Sequence, residues 1–166
     1  MITAIVIPDD LEQPLRQEQI SPADVDAYRN VVDGPLQVVT FDRPRACLYV
    51  NEEGKLEMFS TVNARATALT WVHNSLLRGH DVIVGNVLLV GPPDGAGYDT
   101  SVPDEYAELL FTARAFKVEV QVHGDEAWYS NEQVFGDVFD AYVAGIELAR
   151  RWTQVVHVRV VPVRAG

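Results

Sequence analysis

The amino-acid sequence predicts an α+β fold with mixed sheets, three to four helices and a C-terminal β-α-β unit. Apolar, β-branched runs at residues 2–7 and 36–41 are typical of buried strands. At residues 116–122 apolar side chains alternate with polar ones, which is the period of a half-buried strand. Between such strands, apolar residues recur three and four positions apart, as they do on the buried face of a helix.

The first third of the chain predicts a strand and then a helix. Pro8 ends the first strand, and the polar residues 9–20 predict no defined element. Ser21-Pro22 is typical of a helix start, because Ser can cap the first turn and Pro fits the first helical position. We expect this helix to run to about Val32 and to end at Gly34-Pro35.

Two strands at residues 36–41 and 46–50 are predicted next, joined by a short turn and followed by a second, hairpin-type turn ending at Gly54. Asn63 is placed to cap a helix that ends near Gly79. One face of that helix is predicted to carry Ala66, Leu69, Val72, His73 and Leu76. His73 on this apolar face is expected to be a core histidine with satisfied hydrogen bonds.

A long strand is predicted at residues 81–90, interrupted at Gly85-Asn86. A loop rich in Gly, Pro and Asp spans residues 91–103, and a helix is expected to begin at Pro103. We predict an α+β domain at residues 1–112 and a small β-α-β module at residues 114–166 docked on it. The module is too small to bury a sufficient core alone.

The charge is distributed unevenly, with a net charge of −11 for the whole chain. Residues 1–113 carry 7 Lys and Arg against 17 Asp and Glu, whereas residues 114–166 carry 6 against 7. An acidic surface repels phosphate backbones, so direct binding of duplex nucleic acid is not expected. The surface could contact a protein partner, or it could serve solubility alone.

Composition also bears on the compartment. No apolar run reaches 20 residues, so no membrane association is predicted. Cys47 is the single cysteine and cannot form an intramolecular disulfide, which fits a reducing, cytoplasmic setting. We expect Cys47 to be a small buried side chain.

No catalytic, cofactor-binding or metal residues are assigned. The four histidines lack metal-ligand spacing, and no serine has the flanking glycines of a nucleophile elbow. Gly95-Ala96-Gly97 lacks the third glycine of a dinucleotide loop, since Thr100 stands there. His123 and His157 fall on the polar faces of two strands that could be neighbours. The two side chains could form a pair there, or each could simply lie on the surface.

Five residues are candidates for ligand or partner contact. Asn63 and Arg65 lie at the predicted helix start, where a pocket could form with the 91–103 loop. The segment before the helix of the predicted β-α-β module contributes Trp128, Tyr129 and Asn131. The two aromatics could anchor a partner, or they could close the β-α-β core as a hydrophobic staple.

Two resemblances rest on quoted residues. The segments at 48–55 (LYVNEEGK), 63–67 (NARAT) and 81–85 (DVIVG) resemble a domain-of-unknown-function family of actinobacteria, their plasmids and their phages. This resemblance covers residues 1–112. The segments at 127–131 (AWYSN) and 149–156 (ARRWTQVV) resemble a small unassigned module of actinophage and actinobacterial proteins, with Ser130 where that module usually has Gly. Together they imply an accessory protein of a mobile element or its host, and no reaction.

The first functional hypothesis is therefore a non-enzymatic accessory or interaction protein whose acidic surface contacts a protein partner, with an acidic DNA mimic as a special case. The alternative is a small-ligand or nucleotide-binding protein with a pocket near the 91–103 loop. An enzyme of unrecognised type is the third. A homodimer is also expected, because apolar strands at residues 2–7 and 155–163 would otherwise be open edges.

Overall fold

The computed structural model describes residues 1–58 and 60–164. Its strands are β1 (Ile2–Ile7), β2 (Arg16–Ile20), β3 (Leu36–Asp42), β4 (Arg45–Asn51), β5 (Val87–Val90), β6 (Phe116–Val122) and β7 (Val155–Pro162). Its α-helices are α1 (Val25–Val32), α2 (Ala64–His73), α3 (Asp104–Ala107) and α4 (Val138–Arg151). A 3-10 turn spans Gly54–Leu56, and a π-helical segment at Glu108–Thr112 extends α3.

Five strands form one sheet in the order β2-β1-β5-β4-β3, and β6 and β7 form a second. The predicted α+β class is confirmed. Within the described residues the paired strands are antiparallel, where the sequence predicted mixed sheets. The β3–β4 pair shows one reason, since its two-residue connection permits only antiparallel pairing. β1 lies inside its sheet, so it is not the open edge on which the expectation of a homodimer partly rested; the homodimer itself stays a prediction.

The two faces of the larger sheet are covered by different elements. On one face α1 packs through Tyr28 and Val32, next to the buried Cys47. On the other face α2 and the C-terminal residues share one continuous cluster of buried apolar side chains. Burial of Cys47 matches the expectation of a small core residue. The central strands β1 and β5 are buried for most of their length, which explains their unbroken apolar sequences.

The start of α1 differs from the prediction. The helix begins at Val25, and Asp24 is its N-cap, with a carboxylate oxygen accepting from the N–H three residues later at 3.1 Å. Ser21 forms a preceding turn instead, its carbonyl accepting from the N–H of Asp24 at 3.0 Å. The end is as predicted, because Asp33 adopts a left-handed conformation just before Gly34.

The elements after β4 are shorter than predicted. The turn ending at Gly54 leads into the 3-10 turn instead of a hairpin strand, and α2 ends at His73. Leu76 therefore lies beyond the helix and is 83% exposed, not on its buried face. The strand predicted at residues 81–90 contracts to β5, because Gly85 has a φ of 79°, which interrupts extended backbone.

The C-terminal unit consists of β6, α4 and β7, with the helix packed on both strands. Gly145 permits this approach, since a Cβ there would lie 2.7 Å from Cγ1 of Val158. The pairing of β6 with β7 has a bulge after Gln121 that leaves Val156 as the extra residue. Val156 is consequently exposed, although simple alternation places it on the apolar face.

His73 joins the C-terminal unit to the rest of the chain. Its Nδ1 lies 2.8 Å from the carbonyl oxygen of Arg43, and its Nε2 lies 2.7 Å from the hydroxyl of Tyr142 in α4. A carbonyl only accepts, so Nδ1 carries the proton and Nε2 accepts from Tyr142. Burial lowers the pKa of His73 to about 4, which keeps the ring neutral at neutral pH. The expected core histidine is confirmed; whether residues 114–166 form a separate domain stays a prediction.

Candidate functional site

A cavity of about 760 Å³ lies between the C-terminal unit and the larger sheet. Its walls come from the β3–β4 turn, the end of α2, the α3 helix with its π-helical extension, and strand β7, together with Trp128. Volumes of this size are typical of sites that bind small organic ligands. The lining is rich in charged side chains, which decide what kind of ligand the cavity can accept.

Arg78 brings positive charge to a buried part of this cavity. Its Nε donates to the carbonyl oxygen of Trp71 at 2.7 Å, which holds the guanidinium in place. Its Nη2 is buried and has no hydrogen-bond partner in the part of the chain that the structure describes. Burial lowers the pKa of Arg78, yet a guanidinium remains protonated in proteins. A buried donor of this kind lacks an acceptor that a ligand could supply.

Arg43 and His157 lie close to Arg78 in the same cavity. Neither arginine forms an ion pair with a carboxylate in residues 1–58 or 60–164. The pKa of His157 is lowered by burial and further by the positive charges of Arg43 and Arg78. The three side chains therefore form a cationic cluster in which the imidazole is kept neutral.

The other charges of the lining are already compensated or solvated. Arg159 pairs with Glu119 at 2.7 Å, and its guanidinium lies 3.9 Å from the ring centre of Trp128. Arg164 pairs with Glu108 at 2.7 Å. Two further carboxylates, Asp42 and Glu105, belong to exposed residues of the lining. Arg43 is exposed as well, so the uncompensated positive charge in the more buried part of the cavity is that of Arg78.

The predicted contacts at the start of α2 serve the fold. Asn63 is fully buried; its side chain donates to the carbonyl oxygens of Ile7 and Gly85 at 2.9 and 2.8 Å and accepts from the N–H of Ala66 at 3.0 Å. Arg65 donates to two carbonyl oxygens, at 2.8 and 3.0 Å, in the connection between β1 and β2. The hydrogen bonds of Asn63 leave no amide atom for a ligand.

The predicted aromatic group lies elsewhere, in the segment before α4. Trp128 is half-buried in the large cavity, whereas Tyr129 is exposed and its hydroxyl hydrogen-bonds Asp125. The backbone of Tyr129 pairs with Val120, which adds this segment to the edge of β6. Asn131 is exposed and accepts from the N–H of Gln133 at 3.0 Å in a local turn. Of the five candidates, only Trp128 lines the large cavity.

Sequence reasoning missed Arg43 and Arg78. Arg43 lies in a turn and Arg78 lies beyond the end of α2, so neither belongs to a periodic pattern or a motif. His157 was noted on a polar strand face, but its neighbours are these arginines and not His123, which does not line the cavity. Only the docking of β7 against α2 brings the three side chains together.

A second cavity, of about 340 Å³, adjoins the 91–103 loop through residues 97–99. It lies on the α1 side of the larger sheet, and the start of α2 does not line it. The predicted association of Asn63 and Arg65 with this loop is therefore not what the structure shows. Among the described residues, no group of three His, Cys, Asp or Glu side chains could hold a metal ion. No helix described here is long and apolar enough to cross a membrane.

Comparison with known proteins places the chain in a family. No curated protein and no solved structure matches it. One family model matches residues 2–115, a range that ends immediately before β6 and includes the large sheet with its helices. Since this range is more than half of the 166 residues, the chain belongs to the family described as Domain of unknown function (DUF3846).

Proposed function

We propose that this protein binds a small anionic ligand, with carboxylate or phosphate chemistry, in the cavity between the C-terminal unit and the larger sheet. The observation that supports the proposal is the Arg78 guanidinium, which lines the cavity, has no ion pair among the described residues and leaves its Nη2 without an acceptor. A small-ligand function is the alternative that the sequence left open. The sequence predicted its pocket near the 91–103 loop, whereas the cavity proposed here lies on the other side of the larger sheet.

The physical argument concerns an unsatisfied buried donor. A buried charge without a hydrogen-bonding partner is costly, and an anion at Arg78 would remove that cost. Arg43 lies close enough to add a second guanidinium, and planar guanidinium groups match the oxygens of carboxylates and phosphates. The exposed carboxylates of Asp42 and Glu105 would disfavour highly charged anions and favour ligands with one compact anionic group.

Binding should respond to pH through His157. A bound anion offsets the positive charges that lower its pKa, so the imidazole takes up a proton more readily in the complex. Affinity should therefore increase as the pH falls below the ordinary histidine pKa of about 6.5 towards the lowered pKa of His157 in the free protein. Sulfate is a suitable probe for this series, because it does not itself titrate in this range.

The experiment is calorimetric titration with sulfate and acetate, each of which carries one compact anionic group. Arg43→Gln and Arg78→Gln should each weaken binding about tenfold, the loss expected for a hydrogen bond to a charged group. Arg16→Gln, an exposed arginine on β2, is the matched control and should bind as the unaltered protein does. Equal binding by all the variants, or the absence of any binding, would refute the proposal. Arg43→Gln keeps the test valid if Arg78→Gln does not fold.

A second candidate is the accessory role, in which the acidic surface contacts a protein partner. It is favoured by the excess of ten negative charges over residues 1–113. Exposed apolar side chains of Leu56 and Met58 add a surface that association could cover. Native mass spectrometry of the protein purified from its own host tests this: a partner that dissociates with salt would support it, and a bare mass would contradict it. An origin in an actinobacterium or its mobile elements stays a prediction.

A further inference from the structure

We propose that the smaller cavity, beside the 91–103 loop, is a binding site for an alkylammonium group. The inference is independent of the anion site, because the two cavities have no lining residue in common. Three tyrosines and one carboxylate carry it: Tyr28, Tyr49, Tyr98 and Asp99.

The aromatic side chains are held by two elements and a loop. Tyr28 comes from α1 and Tyr49 from β4, and their ring centres are 5.0 Å apart in an edge-to-face arrangement. Tyr98, from the loop, is 51% exposed and lines the same cavity. Aromatic faces gathered in this way attract cations, and clusters of them recognise ammonium groups in proteins.

Asp99 adds the charge. The Tyr49 hydroxyl donates to Oδ2 of Asp99 at 2.8 Å, which orients the carboxylate. Asp99 has no ion-pair partner in residues 1–58 or 60–164. The site therefore holds one negative charge that a ligand cation would neutralise, in partly desolvated surroundings where such an interaction is strengthened.

Tyr28 brings a second hydroxyl to Asp99. This hydroxyl is buried, and its interaction is with the Asp99 carboxylate. Burial raises the pKa of Tyr28 and of Tyr49, and the nearby Asp99 carboxylate raises both further, so both hydroxyls stay neutral. Both hydroxyls therefore orient the Asp99 carboxylate, to which an ammonium N–H in the cavity can donate.

Other ligand classes fit this cavity less well. An anion would meet the charge of Asp99, and a calcium or magnesium ion needs more oxygen ligands than one carboxylate provides. The volume of about 340 Å³ is at the lower end of ligand sites, which suits a short alkyl chain with its ammonium head. A free amine and the lysine side chain of a protein both present this ammonium chemistry.

The test is an NMR titration that follows the ring resonances of Tyr28, Tyr49 and Tyr98. Butylammonium should shift these resonances saturably, tetramethylammonium, which lacks an N–H donor, should shift them at higher concentration, and the neutral isosteres butan-1-ol and tert-butanol should not shift them. Asp99→Asn keeps the acceptor for Tyr49 but removes the charge, and it should weaken binding about tenfold or more. Asp26→Asn removes the same charge from an exposed site on α1 and is the matched control.

The source of the ammonium is tested with Nα-acetyl-lysine methylamide and its norleucine counterpart. Tighter binding of the lysine compound than of butylammonium indicates a lysine side chain of a partner, and the reverse indicates a free amine. Either result requires that the norleucine compound does not bind. Equal shifts from tert-butanol and tetramethylammonium, undiminished binding in Asp99→Asn, or no ring shifts at all would overturn the proposal. None of these outcomes affects the anion site, which Arg43→Gln tests separately.

Discussion

Acidification should destabilise this protein through His73, and His73→Gln should reduce that effect. In the folded chain burial holds the pKa of His73 at about 4, whereas an unfolded chain has the ordinary value of about 6.5. The unfolded state therefore binds more protons between these values, so the free energy of unfolding decreases as the pH falls through this window. Above about pH 6.5 the imidazole is neutral in both states and contributes no pH dependence.

The magnitude follows from the two pKa values. The difference between the two pKa values corresponds to a total loss of about 3 kcal/mol in unfolding free energy. This full loss is reached only below about pH 4, where the pH lies below both values. Between about pH 7 and about pH 5 the expected loss is about 2 kcal/mol. The physical reason that the folded ring resists protonation is burial, because the charged imidazolium would be removed from water.

The assay is urea unfolding of the unaltered protein and of His73→Gln at both pH values. Glutamine can donate to the Arg43 carbonyl and accept from the Tyr142 hydroxyl, but it does not titrate. Groups such as His157 change charge in both proteins. The loss of unfolding free energy on acidification therefore differs between the two proteins only by the contribution of His73. His80→Gln, at an exposed position, is the control for removing a histidine. An equal loss of stability in the unaltered protein and His73→Gln would refute the reasoning.

Three further predictions concern the fold. Asn63→Ala should cost about 2–3 kcal/mol of unfolding free energy, because it removes the α2 cap and the amide donor to one buried and one partly buried carbonyl. Asn131→Ala should cost under about 0.5 kcal/mol in the same urea unfolding assay. Gly145→Val should lower the midpoint of thermal unfolding, with a cost of about 1–3 kcal/mol, because its side chain would collide with Val158; an unchanged midpoint would contradict the close packing of α4 on β7. Residues 114–166 expressed alone should give poorly dispersed NMR spectra, because their apolar surface packs on the rest of the chain; dispersed spectra from a monomer would contradict this.

Local patterns in the sequence were enough to find most elements. The alternation at residues 116–122 and the apolar run at residues 2–7 predicted β6 and β1, since a strand that buries one or both faces must carry that pattern. Asn63 was identified as a cap because an amide oxygen before an apolar helix satisfies its first N–H groups. His73 on the apolar face of α2 similarly predicted a buried, hydrogen-bonded ring.

Local patterns failed at two places, for different reasons. At α1 a local turn at Ser21 precedes the helix, so the carboxylate of Asp24 is the cap and accepts from the N–H of Ala27. The bulge that exposes Val156 depends on how β7 pairs with β6, and alternation within one strand carries no information on that pairing.

The sequence predicted a ligand pocket near the 91–103 loop, but it predicted neither the tyrosines that line the smaller cavity nor the existence of the larger one. What the sequence determined is the α+β class, the acidic first part of the chain and the buried strands and helix faces, because these depend on composition and on spacing within one element. What only the tertiary structure decided is which polar residues meet: Arg43 with Arg78 and His157, and Tyr28 with Asp99. The members of each group come from different elements. Their proximity follows from strand order and helix docking, and no spacing along the chain encodes either one.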